Sequence, residues 1–246
     1  MIRYSRPTEP VGFSQSTKTC RKHLKDLVAA GTELKGEDFN RNVWAPHKDA
    51  FNLAQRNKCA YCERLHTGYG DVEHVLPKTK VAVLGQDGEE QNTLKVKGRR
   101  ASTEVKPGYW WRAYEWANYV FACNHCNSKW KLNYLTVDPP HTALDQPKEE
   151  RAETVLLVHP YDDVPSTHLR VDPYGVMYGL TPKGAATIRD LGLNRPSLVQ
   201  HRLYAYEEAM HAANSGDIPA IETQVREERS FALARWWAVQ DVLAPA

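Results

Sequence analysis

Apolar residues recur at helical spacing near the start of the chain. Cys20, Leu24, Leu27 and Val28 stand at i, i+4, i+7 and i+8 and predict an amphipathic helix over 17–30, ended by Gly31. Cys20 is expected in the core. A second helix is expected to begin near Pro46, a good first-turn residue, and to carry His47, Phe51 and Ala54 toward Cys59. Val72 to Leu76 reads as a short strand stopped by Pro77, and residues 85–108, polar and rich in Gly, as a loop or small hairpin. In "YWWRAYEWANYVFAC" Trp111, Tyr114 and Tyr119 are placed to share a helical face, as a packing plug in the favoured reading or as a base-stacking platform. "NSKWKL" predicts a short helix.

Farther on, residues 154–160 and 168–180 look like strands around a turn. Three helices follow. The first has Thr181 as N-cap, Pro182 at its first position and Gly192 as its stop. The second carries Val199, Leu203, Tyr206 and Met210 in one stripe. The last runs over 219–242 with Ile221, Val225, Ala232, Trp236 and Val239 on one face. Stripes of this kind are more often core than binding surface. The fold class expected is α+β.

With 246 residues, 41% hydrophobic and 25% charged, the chain has the balance of a globular protein of one large domain or two small ones. No apolar run is long enough to span a bilayer, and "MIRYSRPTEP" lacks the apolar stretch of a signal peptide, so a cytoplasmic protein is expected. The 32 basic and 30 acidic residues leave a net charge of +2, too little for the whole-protein field to capture nucleic acid. A local patch exists: Lys95, Lys97, Arg99, Arg100, Lys106 and Arg112 against the single Glu104, followed by Lys129 and Lys131. It reads either as a solvated loop or as a track for phosphates. The acids gather elsewhere, in Asp145, Glu149, Glu150, Glu153, Asp162 and Asp163.

Four of the five cysteines form two C-x-x-C pairs, Cys59 with Cys62 and Cys123 with Cys126. Each tight knuckle lets two thiolates reach one ion, and two knuckles make a tetrahedral zinc site; redox pairs and buried free thiols are the alternatives. The 60 residues between Cys62 and Cys123 are too many for a plain zinc ribbon, so a functional segment must be inserted there. It holds "GDVEHVLPK", with Glu73 and His74 side by side. His has the pKa of a general base near neutrality, and a divalent cation held by oxygen ligands suits a scissile phosphate. Neighbours on a strand point to opposite faces, so a turn or bulge is needed to bring both side chains to one phosphate.

These residues carry a resemblance. "CAYCE … DVEHVLPK … YEWANYVFACNHCNSKWKL" resembles an HNH endonuclease with a ββα-metal core stapled by a four-cysteine zinc site, and more narrowly the PtuB-type nucleases of Septu and some retron anti-phage systems. "HPYDDVPSTHLRVDPYG" and "GAATIRDLGLNRPSLVQHR" resemble the C-terminal half of the same family. The resemblance implies His74 as general base, Glu73 and Asn127 as ligands of catalytic Mg²⁺ or Mn²⁺, and Asn118 as the residue holding the base loop through backbone hydrogen bonds. It places Lys131 near a substrate phosphate; Arg99 and Arg100 of the basic stretch are the other candidate phosphate contacts. It implies structural Zn²⁺ on Cys59, Cys62, Cys123 and Cys126, a nucleic-acid substrate (DNA before RNA) and an ATPase partner of the PtuA type. Two departures stand out: Glu73 where many HNH sites have Asp, and Asn127 where the third letter is His. His159, Asp162, Asp163 and His168 match family positions with no derived role. His125, inside the zinc turn, is expected to face solvent or bond the knuckle.

The expected layout is an N-terminal helical segment (1–58), the nuclease core with its zinc knuckles (59–135), and a C-terminal strand pair and helices packing on that core (136–246). Two other readings remain open. One is a stand-alone restriction-type HNH enzyme. The other is a zinc-stabilised nucleic-acid or protein adaptor, in which Glu73, His74 and Asn127 would not converge.

Overall fold

The structure, a computed structural model, describes residues 1–66, 69–84, 102–105, 107–138 and 154–244. Among them, short strands pair two by two, all antiparallel: β1 (Asp71–His74) with β4 (Tyr119–Ala122), β2 (Val81–Leu84) with β3 (Ser102–Val105), β5 (Val137–Asp138) with β6 (Thr154–Val155), and β7 (Leu169–Val171) with β8 (Met177–Gly179). Of the stretch 85–108, expected as a loop or small hairpin, residues 85–101 and 106 lie outside the described residues, and β3 within it pairs with β2, which precedes it. The segments 154–160 and 168–180 do not pair with each other: β6 returns to β5, and β7–β8 is a hairpin of its own.

The pair β1–β4 sits at the centre, with Asp71 opposite Ala122 and His74 opposite Tyr119. Gly70 lets it start, because a Cβ there would lie 2.5 Å from the Ala122 carbonyl oxygen. All four residues of β4 are buried, which explains why its sequence does not alternate. Its outer edge is closed by a side chain. The Phe121 amide donates to Gln55 Oε1 (2.8 Å) and Gln55 Nε2 donates to the Phe121 carbonyl (2.8 Å), so the buried edge keeps its hydrogen bonds.

Helices α1 (Phe13–Ser16), α2 (Lys18–Ala29) and α3 (Lys48–Ala54) precede this pair. In α2 Leu24 is buried and Cys20 and Leu27 are partly buried against the core, whereas Val28 is exposed. The aromatic segment is not a helix. It forms two 3₁₀ turns, Trp110–Arg112 and Trp116–Asn118, and then enters β4. "NSKWKL" lies in a π-helical segment, His125–Lys131.

At the C-terminal end α4 (Pro182–Leu191) starts as expected: Thr181 Oγ1 accepts from the Gly184 amide (3.1 Å). It stops at Gly192, which has φ +57 and where a Cβ would meet the Trp130 ring at 2.0 Å. The stripe of α5 (Pro196–Ser215) is shifted from the expected one: Tyr206 is buried as expected and Val199 and Leu203 are partly buried, but the buried face also takes in Leu198, Arg202, Ala205, Ala209 and Ala212, and Met210 is exposed. The last expected helix is two helices, α6 (Ile218–Gln224) and α7 (Ala232–Leu243). Buried residues from all three expected segments, among them Phe13, Phe51, Val72, Tyr119, Leu157, Leu198 and Val239, belong to one hydrophobic cluster. The architecture is a mixture of helices and small sheets, α+β, around a buried four-cysteine cluster. Among the described residues no helix is long and apolar enough to cross a membrane.

Candidate active site and metal centre

The two knuckles meet. Cys59 and Cys62 lie in a tight turn, where the Cys59 amide donates to the Arg64 carbonyl (3.0 Å) and the Glu63 amide to the Cys59 carbonyl (3.1 Å). Cys123 and Cys126 follow directly from β4 and begin the π-helical segment. The four sulfurs are buried and lie within 4.8 Å of one another. Bonds of about 2.3 Å to a tetrahedral zinc would set sulfurs about 3.8 Å apart, so the cluster can hold such a metal with little movement. Three N–H groups already point at sulfur: Cys123 N at Cys59 Sγ (3.4 Å), Cys126 N at Cys123 Sγ (3.5 Å) and Arg195 Nη2 at Cys126 Sγ (3.0 Å). The Arg195 guanidinium is buried over the Trp130 ring at 5.3 Å, where it would offset the excess negative charge of four thiolates on a bound dication. Arg195 stands within "GAATIRDLGLNRPSLVQHR", but nothing in that stretch assigns it to the sulfurs; it lies 69 residues from Cys126 and the fold brings it there. His125 is exposed and accepts from Trp130 Nε1 (2.9 Å), outside the thiol set.

His74, at the end of β1, is 4% exposed and wedged between the Trp44 and Tyr119 rings, with centroids at 4.7 and 5.1 Å. Its Nε2 lies 2.9 Å from the Ala113 carbonyl oxygen. A carbonyl only accepts, so Nε2 carries the proton and the neutral ring keeps its lone pair on Nδ1. Burial, reinforced by the Lys78 charge, holds the imidazole well below the usual histidine range, against the pull of the Ala113 carbonyl. The ring is therefore neutral at physiological pH. Tyr119 Oη donates to the same Ala113 oxygen (2.7 Å) and fixes it from the opposite strand.

Asn118 is buried below the loop that follows His74. Its Oδ1 accepts from the Leu76 amide (2.7 Å), and its Nδ2 donates to the Leu76 (3.2 Å) and Arg112 (3.0 Å) carbonyls. The Val75 amide adds a bond to the Asn118 carbonyl (2.9 Å).

Glu73, His74 and Asn127 line one cleft of about 400 Å³, together with Arg41, Trp44, Lys48, Asp71 and Lys78. Strand alternation does not keep Glu73 and His74 out of the same cleft. Lys131, expected at a substrate phosphate, is fully buried instead. Its Nζ pairs with Glu73 Oε1 (2.6 Å) and donates to the His74 carbonyl (3.1 Å). The cations that do line the cleft, Arg41, Lys48 and Lys78, were not singled out in the sequence, although Lys78 directly follows Pro77 in "DVEHVLPK". Lys78 lies over the Trp44 (5.1 Å) and Phe39 (5.7 Å) rings, and burial pushes its ammonium down from the usual lysine range. Arg99 and Arg100 lie outside the described residues.

The sequence is 30% identical over 214 residues to Septu protein PtuB of Bacillus mycoides (strain KBAB4). The chain is a relative of PtuB. The alignment covers 82% of this chain and 66% of PtuB, so the chain spans just under two thirds of that relative's length. A second match is of another kind: 34% identity over 101 residues to Septu protein PtuA of the same strain, covering 41% of this chain and 14% of PtuA. It is a likeness in sequence to a small part of PtuA. No protein family's profile matches the chain, and no solved structure matches it significantly. The homology to PtuB supports a relationship to the Septu systems.

Proposed function

We propose that the chain is a metal-dependent HNH endonuclease that hydrolyses phosphodiester bonds in DNA, acting as the effector of a Septu-type anti-phage complex with a PtuA-like ATPase partner. One observation carries the reading: Glu73, His74 and Asn127 line one cleft, with His74 Nε2 held 2.9 Å from the Ala113 carbonyl oxygen. An adaptor needs no such convergence. The likeness to PtuB favours the complex over a stand-alone restriction enzyme. In this reading β1, β4 and the π-helical segment form the ββα-metal core.

His74 Nδ1 takes a proton from the attacking water. Asn118, bonded on both sides of Leu76, holds the loop after the base at a fixed distance from β4. Arg41, Lys48 and Lys78 line the cleft where the strand's phosphates would lie. The Glu73 carboxylate and the Asn127 amide oxygen form a hard, oxygen-only donor set that fits Mg²⁺ or Mn²⁺ completed by water and phosphate. Such an ion supplies positive charge to the leaving oxygen. Lys131 balances the second half of the Glu73 charge from the protein side. Zinc on the four thiolates is structural.

The test is add-back. Zinc-loaded protein freed of Mg²⁺ by mild dialysis, with its ATPase partner co-expressed, is expected to nick DNA when Mg²⁺ or Mn²⁺ is supplied and not when zinc alone is supplied. Equal cleavage without added cation would refute the assignment of Glu73 and Asn127.

A further inference from the structure

Helix α2 bears along one side a second, differently built groove of about 410 Å³. Leu24 is buried in it, Trp110 and Trp111 are half-buried along it, and Lys18, Arg21, Lys22 and Lys25 line it. Lys18, Lys22 and Lys25 stand at i, i+4 and i+7, one row along the helix. Lys22 pairs with Asp26 (2.6 Å); among the described residues neither Lys18 nor Lys25 has an acidic partner. The two indoles meet edge to face, with centroids 5.8 Å apart.

We infer that this groove binds single-stranded DNA, with bases against Trp110 and Trp111 and phosphates along the lysine row. Aromatic faces take any base, and a row of cations tracks a backbone; together they are the two elements of a single-strand platform. A duplex hides its base faces and cannot use the indoles. Charge favours a polyanionic occupant, since Lys18 and Lys25 have no acidic partner among the described residues and Arg21 adds a further cation to the lining. The choice of DNA follows from the proposed nuclease reading, since the lysine, arginine and indole N–H groups of the groove could serve either kind of single strand.

The groove is one side chain away from the cleft. Arg21 Nη2 donates to the Tyr114 carbonyl, while the Tyr114 ring lies 6.0 Å from Trp44 of the cleft. The Trp110–Arg112 turn is followed at once by Ala113, whose carbonyl holds His74. A strand seated here rests on the backbone that orients the proposed base. The inference deepens the nuclease reading, and rests on it, by naming a single-stranded stretch as part of the substrate.

The experiment is binding of an oligodeoxythymidine of about 20 nucleotides to the full chain carrying His74→Ala, read by tryptophan fluorescence without added divalent cation across a salt series. Quenching is expected. Trp110→Ala should weaken binding by about 5-fold or more, the loss of one stacked base. Lys18→Glu/Lys22→Glu/Lys25→Glu, on exposed positions that leave packing alone, should weaken it and reduce the slope of log affinity on log salt by about 2. A duplex of equal length should compete poorly. Unchanged binding by the lysine variant overturns the inference even if Trp110→Ala fails to fold. Competition by an acidic peptide at equal charge would make the groove a protein-docking site, and equal affinity for oligouridine would remove the DNA assignment. Cleavage of DNA by the histidine-intact protein with added Mg²⁺ is scored separately. Binding lost with cleavage retained rejects the groove alone; binding retained with no cleavage, when the ATPase partner is co-expressed as in the add-back test, rejects the nuclease reading.

Discussion

The thiol knot and the cleft hang on the same pair of strands and have opposite characters. At the knot four sulfurs are buried and N–H groups point at three of them, one of these groups being the Arg195 guanidinium. In the cleft, Arg41, Lys48 and Lys78 line a cavity open to solvent with one imidazole and two carboxylates, Glu73 and the Asp71 that pairs with Arg41 (3.1 Å). The difference separates two kinds of energy. In the proposed reading the knot would convert metal affinity into folding, and the cleft's cations would serve a polyanionic substrate. Changes at the knot should therefore unfold the protein, and changes in the cleft should mostly disarm it.

The largest effect is expected at the knot. Zinc in comparable small sites contributes an apparent 10–16 kcal/mol, roughly the whole stability of an ordinary domain. Cys126→Ser should lose zinc by elemental analysis and give unfolded or insoluble protein. A soluble variant with full zinc and an unchanged Tm would erase the distinction.

Next comes the base. His74→Ala should keep its zinc and its circular dichroism and cut about 10² to 10⁴ times more slowly. The imidazole is packed between Trp44 and Tyr119 rather than standing free, so its removal also costs about 1–2 kcal/mol, a fall in Tm of roughly 2–8 °C. Cleavage at the wild-type rate would sink the nuclease assignment.

A smaller effect is expected between the two regions, at the Lys131–Glu73 pair. Lys131 is fully buried, and removing it leaves Glu73 without its counter-charge. Breaking such a pair costs about 3–5 kcal/mol when both partners are sealed; Glu73 opens onto the cleft, so about 1–3 kcal/mol is expected for Lys131→Met. Adding Glu73→Gln should recover most of that stability while leaving cleavage lost. Urea unfolding of the two variants side by side checks it, and a double variant no more stable than Lys131→Met would show that the pair is not coupled.

What was legible in the sequence follows the range of the forces involved. The knuckles, the Thr181 cap and the Gly192 stop depend on a few neighbouring residues, and each stands where its spacing put it. Two segments were misread because distant groups take their carbonyls. In 109–118 the Arg112 and Ala113 carbonyls accept from Asn118, His74 and Tyr119 side chains, so a helix that would spend them on its own amides does not form. The expected last helix breaks at 225–231, where Lys58 Nζ takes the Glu227 and Arg229 carbonyls and Arg56 pairs with Glu227 and Glu228. The shifted stripe of α5 has a related cause: a face of Ala205, Ala209 and Ala212 lets α7 come close, and that choice belongs to the partner helix. Glu73, His74 and Asn118 could be named from a motif. The partners that position them, Ala113, Tyr119 and Lys131, required the fold.

The smallest effect lies in a third place, behind the Asn118 loop, and shows whether stability there is independent of both regions. His159 lines a cavity with Leu76, Asn118 and Arg112, facing Asp162, Asp163, Lys183 and, through Asp162, Arg6. Its Nδ1 accepts from the Tyr161 amide (3.2 Å), which needs a neutral ring. Burial lowers its pKa to about 4, with Arg6 adding to the effect and Asp162 and Asp163 opposing it. The folded value is below the unfolded one near 6.5, so the unfolded chain takes the proton first. The contribution is present in full above about pH 6.5 and is lost as pH falls toward 4. Between pH 7 and 5.5 the loss should be about 1 kcal/mol, and Asp163, held below the usual carboxylate range mainly by Lys183 against burial, stays ionised throughout that window. His159→Asn removes the titration while keeping a polar side chain. Its urea midpoint should change less over that range than the wild type's, with zinc content followed at each pH so that acid release of metal is counted apart. Identical pH profiles for the two proteins would assign the acid sensitivity to the knot.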